Sequence, residues 1–291
     1  MKKLFVFTLA VILVFGISFV GLAGNEADID QIGDSAEADV EQIGNEHLGI
    51  INQTTGNVAN LEQEGSNHVA TINQQHPSEI AVITSEIIQK GDNHTADILQ
   101  TSGTGNSEAI ISQDGELNLG DIYQAGPDMN ADIEQDGIIN TALIYQIWAR
   151  ENNSIIKQEG ESNFANINLM SSVEGKARIN QEGIANEAEI FGDIAHRGIY
   201  SINQIGEANT VNINQHDFVE GNEAQIDQFG DNNEAQIVQF AVDWNITGNN
   251  EGSIVQRGND NSALINQTAA EDIATINQEG NSNSATVIQG N

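Results

Sequence analysis

Apolar and polar residues alternate along almost the whole chain in short units of five residues. Aligned on a recurrent glutamine, 23 units follow the pattern Ala-x-Ile-x-Gln, as in residues 142–146 (ALIYQ) and 235–239 (AQIVQ). Alternation with a period of two is typical of a β-strand with one buried face. The residues between the units are rich in Gly and Asn, which disfavour helix. The pattern therefore predicts an all-β chain of 23 short strands.

The units vary little at their three inward positions. The last position is Gln in 21 units, and Leu169 and Gly192 are the two exceptions. The middle position is Ile in 20 units, and the first is Ala in 16, with Gly, Ser, Val or Tyr in the others. We interpret these residues as packing and register positions, in which Ile fills the space between two sheets and Ala lets the sheets approach closely.

The spacing between successive anchor positions predicts how the strands are arranged. Fourteen of the 22 gaps are eleven residues long, and every departure falls in an odd-numbered gap. Two strands therefore form one rung. We call the connections after even-numbered units the tight edge and those after odd-numbered units the insert edge. The longest stretches on the insert edge are 74–89 and 239–256. This predicts a two-sheet β-arch solenoid of 11–12 rungs of about 22 residues, amyloid-like in its stacking.

The tight edge has a regular chemistry. The Gln that ends each even-numbered unit is followed two residues later by a glycine, so the chain reads Gln-x-Gly there. The glycine permits the positive φ of a sharp turn. These glycines are Gly44, Gly65, Gly91, Gly115, Gly137, Gly160, Gly183, Gly206, Gly230, Gly258 and Gly280. Three residues later stand His47, His68, His94, Asn118, Asn140, Asn163, Asn186, Asn209, Asn233, Asn261 and Asn283.

Stacking one rung on the next, roughly 4.8 Å away, makes buried amides acceptable. A lone buried Gln is costly, but in a stack its NH₂ group donates to the carbonyl of the next Gln. We predict such ladders at Gln42, Gln63, Gln113, Gln135, Gln158, Gln181, Gln204, Gln228, Gln256 and Gln278, with Asn ladders at the turns.

The twelve-residue frame Gln-x-Gly-x-x-Asn-x-Ala-x-Ile-x-Gln, as in residues 135–146 and 228–239, resembles the curlin repeat of bacterial curli fibre subunits. The resemblance extends over residues 25–289. It implies a secreted functional amyloid whose solenoids stack end to end into extracellular fibres for biofilm matrix, adhesion and surface colonisation. It also implies two partners, a nucleating minor subunit and an outer-membrane secretion pore.

The first 23 residues are consistent with export. Lys2 and Lys3 precede a long apolar run that ends in GLAG, which is the pattern of a cleaved signal peptide. We therefore expect a signal peptide at 1–23 and a repeat solenoid at 24–291. The chain has no cysteine, which excludes disulfides and a lipid-modified cysteine.

The charge of the chain excludes nucleic acid as a favourable partner. The formal net charge is −34, and seven basic residues beside 43 acidic ones remain after residue 23. Phosphate binding needs a basic patch. Acidic outward residues such as Asp28, Asp39, Asp132 and Asp227 limit sticking between copies, so we expect assembly to accelerate at lower pH or higher salt.

Other functions remain as alternatives. A monomeric or minor component, either a fibre nucleator or a surface adhesin, is favoured by Trp148, Trp244 and the two inserts if they form an exposed patch. The stacked His47, His68 and His94 offer a metal site as an alternative to a role in the turn ladder. An ice-binding surface is disfavoured because the outward positions are too mixed. No catalytic or phosphate-binding motif was found, so we expect no enzyme, no cofactor and no small-molecule substrate.

Overall fold

A computed structural model describes residues 24–290 except 55, 76–81, 102–104, 194–195, 217–220, 241–248 and 270. The proposed signal peptide at 1–23 lies outside these described residues, as does Trp244. The described residues form strands and their connections. In this part of the chain, no helix has the length and apolarity needed to cross a membrane.

Twenty-three strands coincide one to one with the 23 sequence units. They are β1 (Glu26–Ile32), β2 (Glu37–Asn45), β3 (Leu48–Thr54), β4 (Val58–Ser66), β5 (Val69–Gln75), β6 (Ile83–Asp92), β7 (Thr95–Thr101), β8 (Ser107–Glu116), β9 (Leu119–Ala125), β10 (Asn130–Ile138), β11 (Thr141–Ile147), β12 (Asn153–Glu161), β13 (Phe164–Met170), β14 (Lys176–Ile184), β15 (Glu187–Asp193), β16 (Ile199–Glu207), β17 (Thr210–His216), β18 (Glu223–Phe229), β19 (Glu234–Phe240), β20 (Glu251–Arg257), β21 (Ser262–Gln267), β22 (Ile273–Glu279) and β23 (Ser284–Gln289).

The strands form two parallel sheets. Sheet A contains the 12 odd-numbered strands and sheet B the 11 even-numbered strands, each in chain order. Equivalent repeat positions are directly paired; Gln113, Gln135 and Gln158, for example, align on neighbouring strands. The predicted all-β, two-sheet solenoid is confirmed.

The core lies between the two sheets. The Ile column is almost completely shielded from solvent along the interior rungs, and the Ala column is nearly as buried. Burial of an Ile side chain contributes about 1.5–3 kcal/mol. Since each rung repeats the same contacts, the stability accumulates along the axis, as in other solenoids.

The two sheets are staggered along the axis. A Cβ added to Gly49, which occupies the Ala position of β3, would lie 3.1 Å from Gln42 Nε2 on β2 and 3.7 Å from Gln63 Oε1 on β4. A Cβ on Gly120 of β9 would similarly contact glutamines of both β8 and β10. A strand of one sheet therefore faces the gap between two strands of the other, and the small column of each sheet packs on the Gln column of the opposite sheet.

Candidate functional site

A continuous glutamine ladder runs through the interior side of sheet B. Ten hydrogen bonds of 2.8–3.1 Å link eleven glutamines, with Nε2 donating to Oε1 of the next rung. Gln89, which our set of ladder residues omitted, occupies the third position. The second Nε2 hydrogen commonly bonds a backbone carbonyl of sheet A, as from Gln135 to Leu119 at 3.1 Å. The ladder thus joins neighbouring rungs and also the two sheets.

The corresponding ladder in sheet A is interrupted. Gln31, Gln53, Gln74, Gln100, Gln124 and Gln146 are linked by bonds of 2.8–3.1 Å. Leu169 and Gly192 follow, and the next glutamine, Gln215, is buried with both amide atoms unpartnered. The ladder resumes from Gln239 to Gln267 at 3.0 Å.

We attribute the part of the interruption at Gly192 to Tyr200. It stands in the Ala column of sheet B, between Ala177 and Ala224, and is fully buried. Because this column packs on the Gln column of sheet A, its ring requires space where Gln would otherwise stand, and Gly192 leaves that space. Its hydroxyl lies against Gly198, where an added Cβ would be 1.8 Å away. Burial raises the pKa of Tyr200.

The glycines of the tight edge are required by stacking as well as by dihedral angle. Their φ values lie between +104° and +134°. For all of them except Gly280, a Cβ would come within 1.8–2.4 Å of the carbonyl oxygen of the equivalent glycine in the next rung. At Gly280 the nearest atom would be Asn283 Nδ2 at 3.6 Å. Glycine thus permits two turns to lie directly on top of each other.

The asparagines of the tight edge form a ladder between the turns. From Asn118 to Asn261, each Oδ1 accepts the backbone N–H of the next asparagine, as from Asn140 to Asn118 at 2.9 Å and from Asn163 to Asn140 at 3.0 Å. Each Nδ2 also donates to the carbonyl of the next turn glycine, as from Asn140 to Gly160 at 3.0 Å. Asn118, Asn140, Asn163, Asn186, Asn209, Asn233 and Asn261 are all buried.

The three histidines make the same contacts as these asparagines. His47, His68 and His94 are stacked, with ring centroids 4.9 and 5.0 Å apart and planes within 5°. Nδ1 of His94 accepts the N–H of Asn118 at 3.1 Å, and its Nε2 bonds the Lys90 carbonyl at 2.8 Å. This pattern requires a neutral ring protonated at Nε2.

Burial lowers the pKa of His68 to about 4, and it also lowers the pKa of His94. Since both ring nitrogens bond the backbone, neither has a lone pair directed toward a shared ion. Among the described residues, no group of three or more metal-ligating side chains is present. The geometry favours the turn-ladder interpretation of these histidines over the metal site.

The insert edge exposes aromatic surface. Trp148 is 76% exposed, and a cleft of about 450 Å³ beside it is lined by Thr101, Tyr123, Pro127 and Arg150, among others. Trp148 therefore does not pack over its own loop.

The two ends of the solenoid differ in charge. Six outward positions of β1 and β2 are acidic, and Ile32 and Ile43 are exposed on the same faces; the acidic residues are Glu26, Asp28, Asp30, Glu37, Asp39 and Glu41. The strands β22 and β23 carry a single acidic residue, Glu279. One end is therefore strongly acidic and the other nearly neutral.

Together, these features define a class of protein: a two-sheet parallel β-solenoid stabilised by stacked amide ladders. The family model of the curlin associated repeat matches residues 106–137. This range includes β8, β9 and most of β10. This match confirms the resemblance to curlin repeats. No curated protein gives a significant match to the chain.

Proposed function

We propose that this chain is a secreted structural subunit that stacks end to end into extracellular curli-like fibres, which contribute to biofilm matrix, adhesion and surface colonisation. The curlin repeat and the solenoid fold fit a curli-like structural protein. A dedicated secretion pore and a nucleating minor subunit are its proposed partners.

One observation carries the proposal. The outermost strands, β1 and β2 at one end and β22 and β23 at the other, have no strand on their outer side among the described residues. Each still has the in-register Gln of an interior rung, as in Gln256 to Gln278 at 2.8 Å and Gln31 to Gln53 at 2.9 Å. Open strand edges template further pairing, and a head-to-tail contact that does not close produces a filament.

The charge difference between the ends supports a direction of assembly. Two acidic ends brought together would stack carboxylates about one rung apart, and like charges at that distance repel. The acidic end instead meets uncharged residues when it lies on β22 and β23, such as Thr275 and Thr286. Head-to-tail stacking is therefore favoured over head-to-head stacking.

The substitution Gly280→Ala tests the stacking directly. In the single molecule, the added Cβ meets only Asn283, at 3.6 Å, and the substitution introduces the backbone strain of a side chain at a φ of +104° without a collision. In a fibre it would collide with the turn of the next copy, since every interior turn glycine has a carbonyl within 2.4 Å of that position. We expect Gly280→Ala to retain the β-type circular dichroism spectrum of residues 24–291 and to lose elongation.

The matched control is Ser282→Ala, in the same turn, where a side chain is already present with a φ of +57°. Fibres are followed by negative-stain microscopy and thioflavin T, with seeds added to abolish the lag. Normal elongation of Gly280→Ala, or the absence of fibres from the unmodified chain at both low and neutral pH, contradicts end-to-end stacking.

The exposed Trp148 favours a second candidate function, that of a minor nucleator or a surface adhesin. An exposed aromatic beside a cleft is the kind of surface that binds a partner. In that case the purified chain remains a folded monomer, and Trp148→Ala abolishes its binding without changing its fold.

A further inference from the structure

We infer that successive copies in the fibre are related by a half-turn about the solenoid axis, so that β1 of one copy pairs with β22 of the previous copy and β2 pairs with β23. This inference rests on the proposed stacking. It specifies the contact surface and the partner, which is a second copy of residues 24–291.

The stagger of the sheets is the first argument. Among the described residues, sheet A has one strand more than sheet B, and β1 and β23 are its two outermost strands. If two copies have the same orientation, β1 lies on β23, and a space of one strand is left between β22 and β2 in sheet B. After a half-turn, β1 follows β22 and β2 follows β23. Both sheets then continue across the junction with no strand missing.

Strand direction is preserved by the half-turn. Sheet A strands run from the tight edge to the insert edge, and sheet B strands run back. Rotation by a half-turn exchanges both the sheets and the edges, so β1 runs in the same direction as β22 beneath it. The two strands have seven residues each, and the pairing aligns Gln31 with Gln278 and Ile29 with Ile276.

The turn between β1 and β2 is the second argument. It lies on the insert edge, yet it contains the Gln-x-Gly sequence of the tight edge, at Gln31 to Gly33. Gly33 has a φ of +110° and Ser35 a φ of +64°, against +104° for Gly280 and +57° for Ser282. After a half-turn, this turn lies directly on the turn between β22 and β23. Two turns of matching conformation then stack, as they do along the interior of the tight edge.

Charge at this junction is compatible with the pairing. The acidic residues Glu26, Asp28 and Asp30 of β1 would face Ile273, Thr275 and Asn277 of β22. No carboxylate lies opposite another in these two strands at these positions.

Paired cysteines distinguish the two junctions, because the chain has no cysteine of its own. Ser35 and Ser282 occupy equivalent exposed turn positions, with φ of +64° and +57°. The half-turn places Ser35 one rung from Ser282, whereas equal orientation places β1 on β23 and the exposed Asp28 one rung from the exposed Thr286. A spacing of roughly 4.8 Å between rungs is within the Cα separation that a disulfide spans.

The experiment compares Ser35→Cys/Ser282→Cys with Asp28→Cys/Thr286→Cys as fibres under oxidised glutathione, which accepts the two electrons of each disulfide. Within one molecule these positions are about 50 Å apart by the rung spacing, so every bridge joins two copies. We expect a covalent ladder of multimers on non-reducing gels from the first pair and at least a tenfold weaker one from the second.

The outcomes separate this inference from the proposed function. Fibres that cross-link only through the Asp28→Cys/Thr286→Cys pair overturn the half-turn and leave end-to-end stacking intact. Fibres that cross-link through neither pair overturn the pairing of these ends. If neither double variant nor the unmodified chain forms fibres, both the proposed function and this inference fail.

Discussion

The residues of this solenoid are constrained by their neighbours one rung away more than by their neighbours in sequence. Gly137 illustrates the point: a Cβ there would lie 1.9 Å from the Gly160 carbonyl oxygen. Its φ of +123° lies outside the left-handed α region, whereas Ile139, two residues later, has a φ of +58° within that region, which a residue with a side chain can adopt. Gly137 is therefore required both by its φ and by the carbonyl stacked on it.

The pairing of Tyr200 with Gly192 leads to a prediction at the same scale. Gly192→Gln alone inserts a side chain where the Tyr200 ring packs, and overpacking of this kind costs about 1–3 kcal/mol. Tyr200→Ala alone leaves a cavity and costs about 3–5 kcal/mol. The double variant removes the clash, fills the cavity with Gln and gives the unpartnered Gln215 a donor and acceptor beside it.

We therefore expect the two substitutions to be non-additive by at least about 1 kcal/mol in a double-mutant cycle. Urea unfolding of the soluble chain gives the four free energies of unfolding. Ile72→Val, in the core of β5 and several rungs from Tyr200, serves as a control that should add independently to Tyr200→Ala. Strict additivity of Gly192→Gln and Tyr200→Ala would show that the two side chains do not share one space.

At the scale of the elements, strand positions and pairing were predictable from the sequence because one short pattern recurs at nearly constant spacing. Because the insertions are confined to alternate gaps, the sequence was enough to assign odd-numbered and even-numbered strands to two different sheets. The stagger between the sheets was not predictable, since it depends on which side chains face each other across the core. The compensation of Tyr200 by Gly192 was missed for the same reason, although both residues depart visibly from their columns.

The stack of His47, His68 and His94 extends over three rungs, and its burial leads us to predict that the free energy of unfolding depends on pH. The pKa of His68 falls from 6.5 to about 4 because the ring is buried. In the unfolded chain the ring takes up a proton near pH 6.5, whereas in the folded chain it stays neutral until about pH 4. The stabilisation is therefore complete above pH 6.5 and is lost progressively between pH 6.5 and 4, by about 3 kcal/mol for His68.

Urea unfolding of residues 24–291 between pH 4 and 8 measures this loss. The control is the triple variant His47→Asn, His68→Asn, His94→Asn, which preserves the ladder contacts and lacks the titrating rings. We expect the triple variant to lose less stability on acidification. Parallel curves for the two proteins would contradict a contribution of the histidine stack.

At the scale of the whole molecule, surface charge opposes assembly. The chain carries a net charge of −34, and burial raises the pKa of Asp97, Asp121 and Asp132 on the outer faces of the sheets. These three carboxyls are easier to protonate in the folded state, so acidification through their raised pKa values stabilises the folded chain and reduces repulsion. Added salt also screens exposed charges, with a Debye length of about 10 Å at 0.1 M.

We expect the lag of fibre formation to shorten as the pH falls from 8 to 5, and to shorten at pH 8 when salt is added. Thioflavin T kinetics across this range provide the measurement, with seeded reactions to separate nucleation from elongation. Equal lag times from pH 4 to 8 would show that charge does not limit assembly.

The insert edge has a consequence for protein engineering. Connections there range from tight turns to the stretch at 239–256 without changing the strand pairing on either side, as β19 and β21 remain in register around it. A foreign peptide grafted into these connections would be displayed at a height fixed by the rung spacing of roughly 4.8 Å. Because the half-turn exchanges the edges between successive copies, the fibre would present grafted peptides alternately along its two opposite edges. Such a fibre would be a scaffold with two display surfaces and a fixed axial spacing.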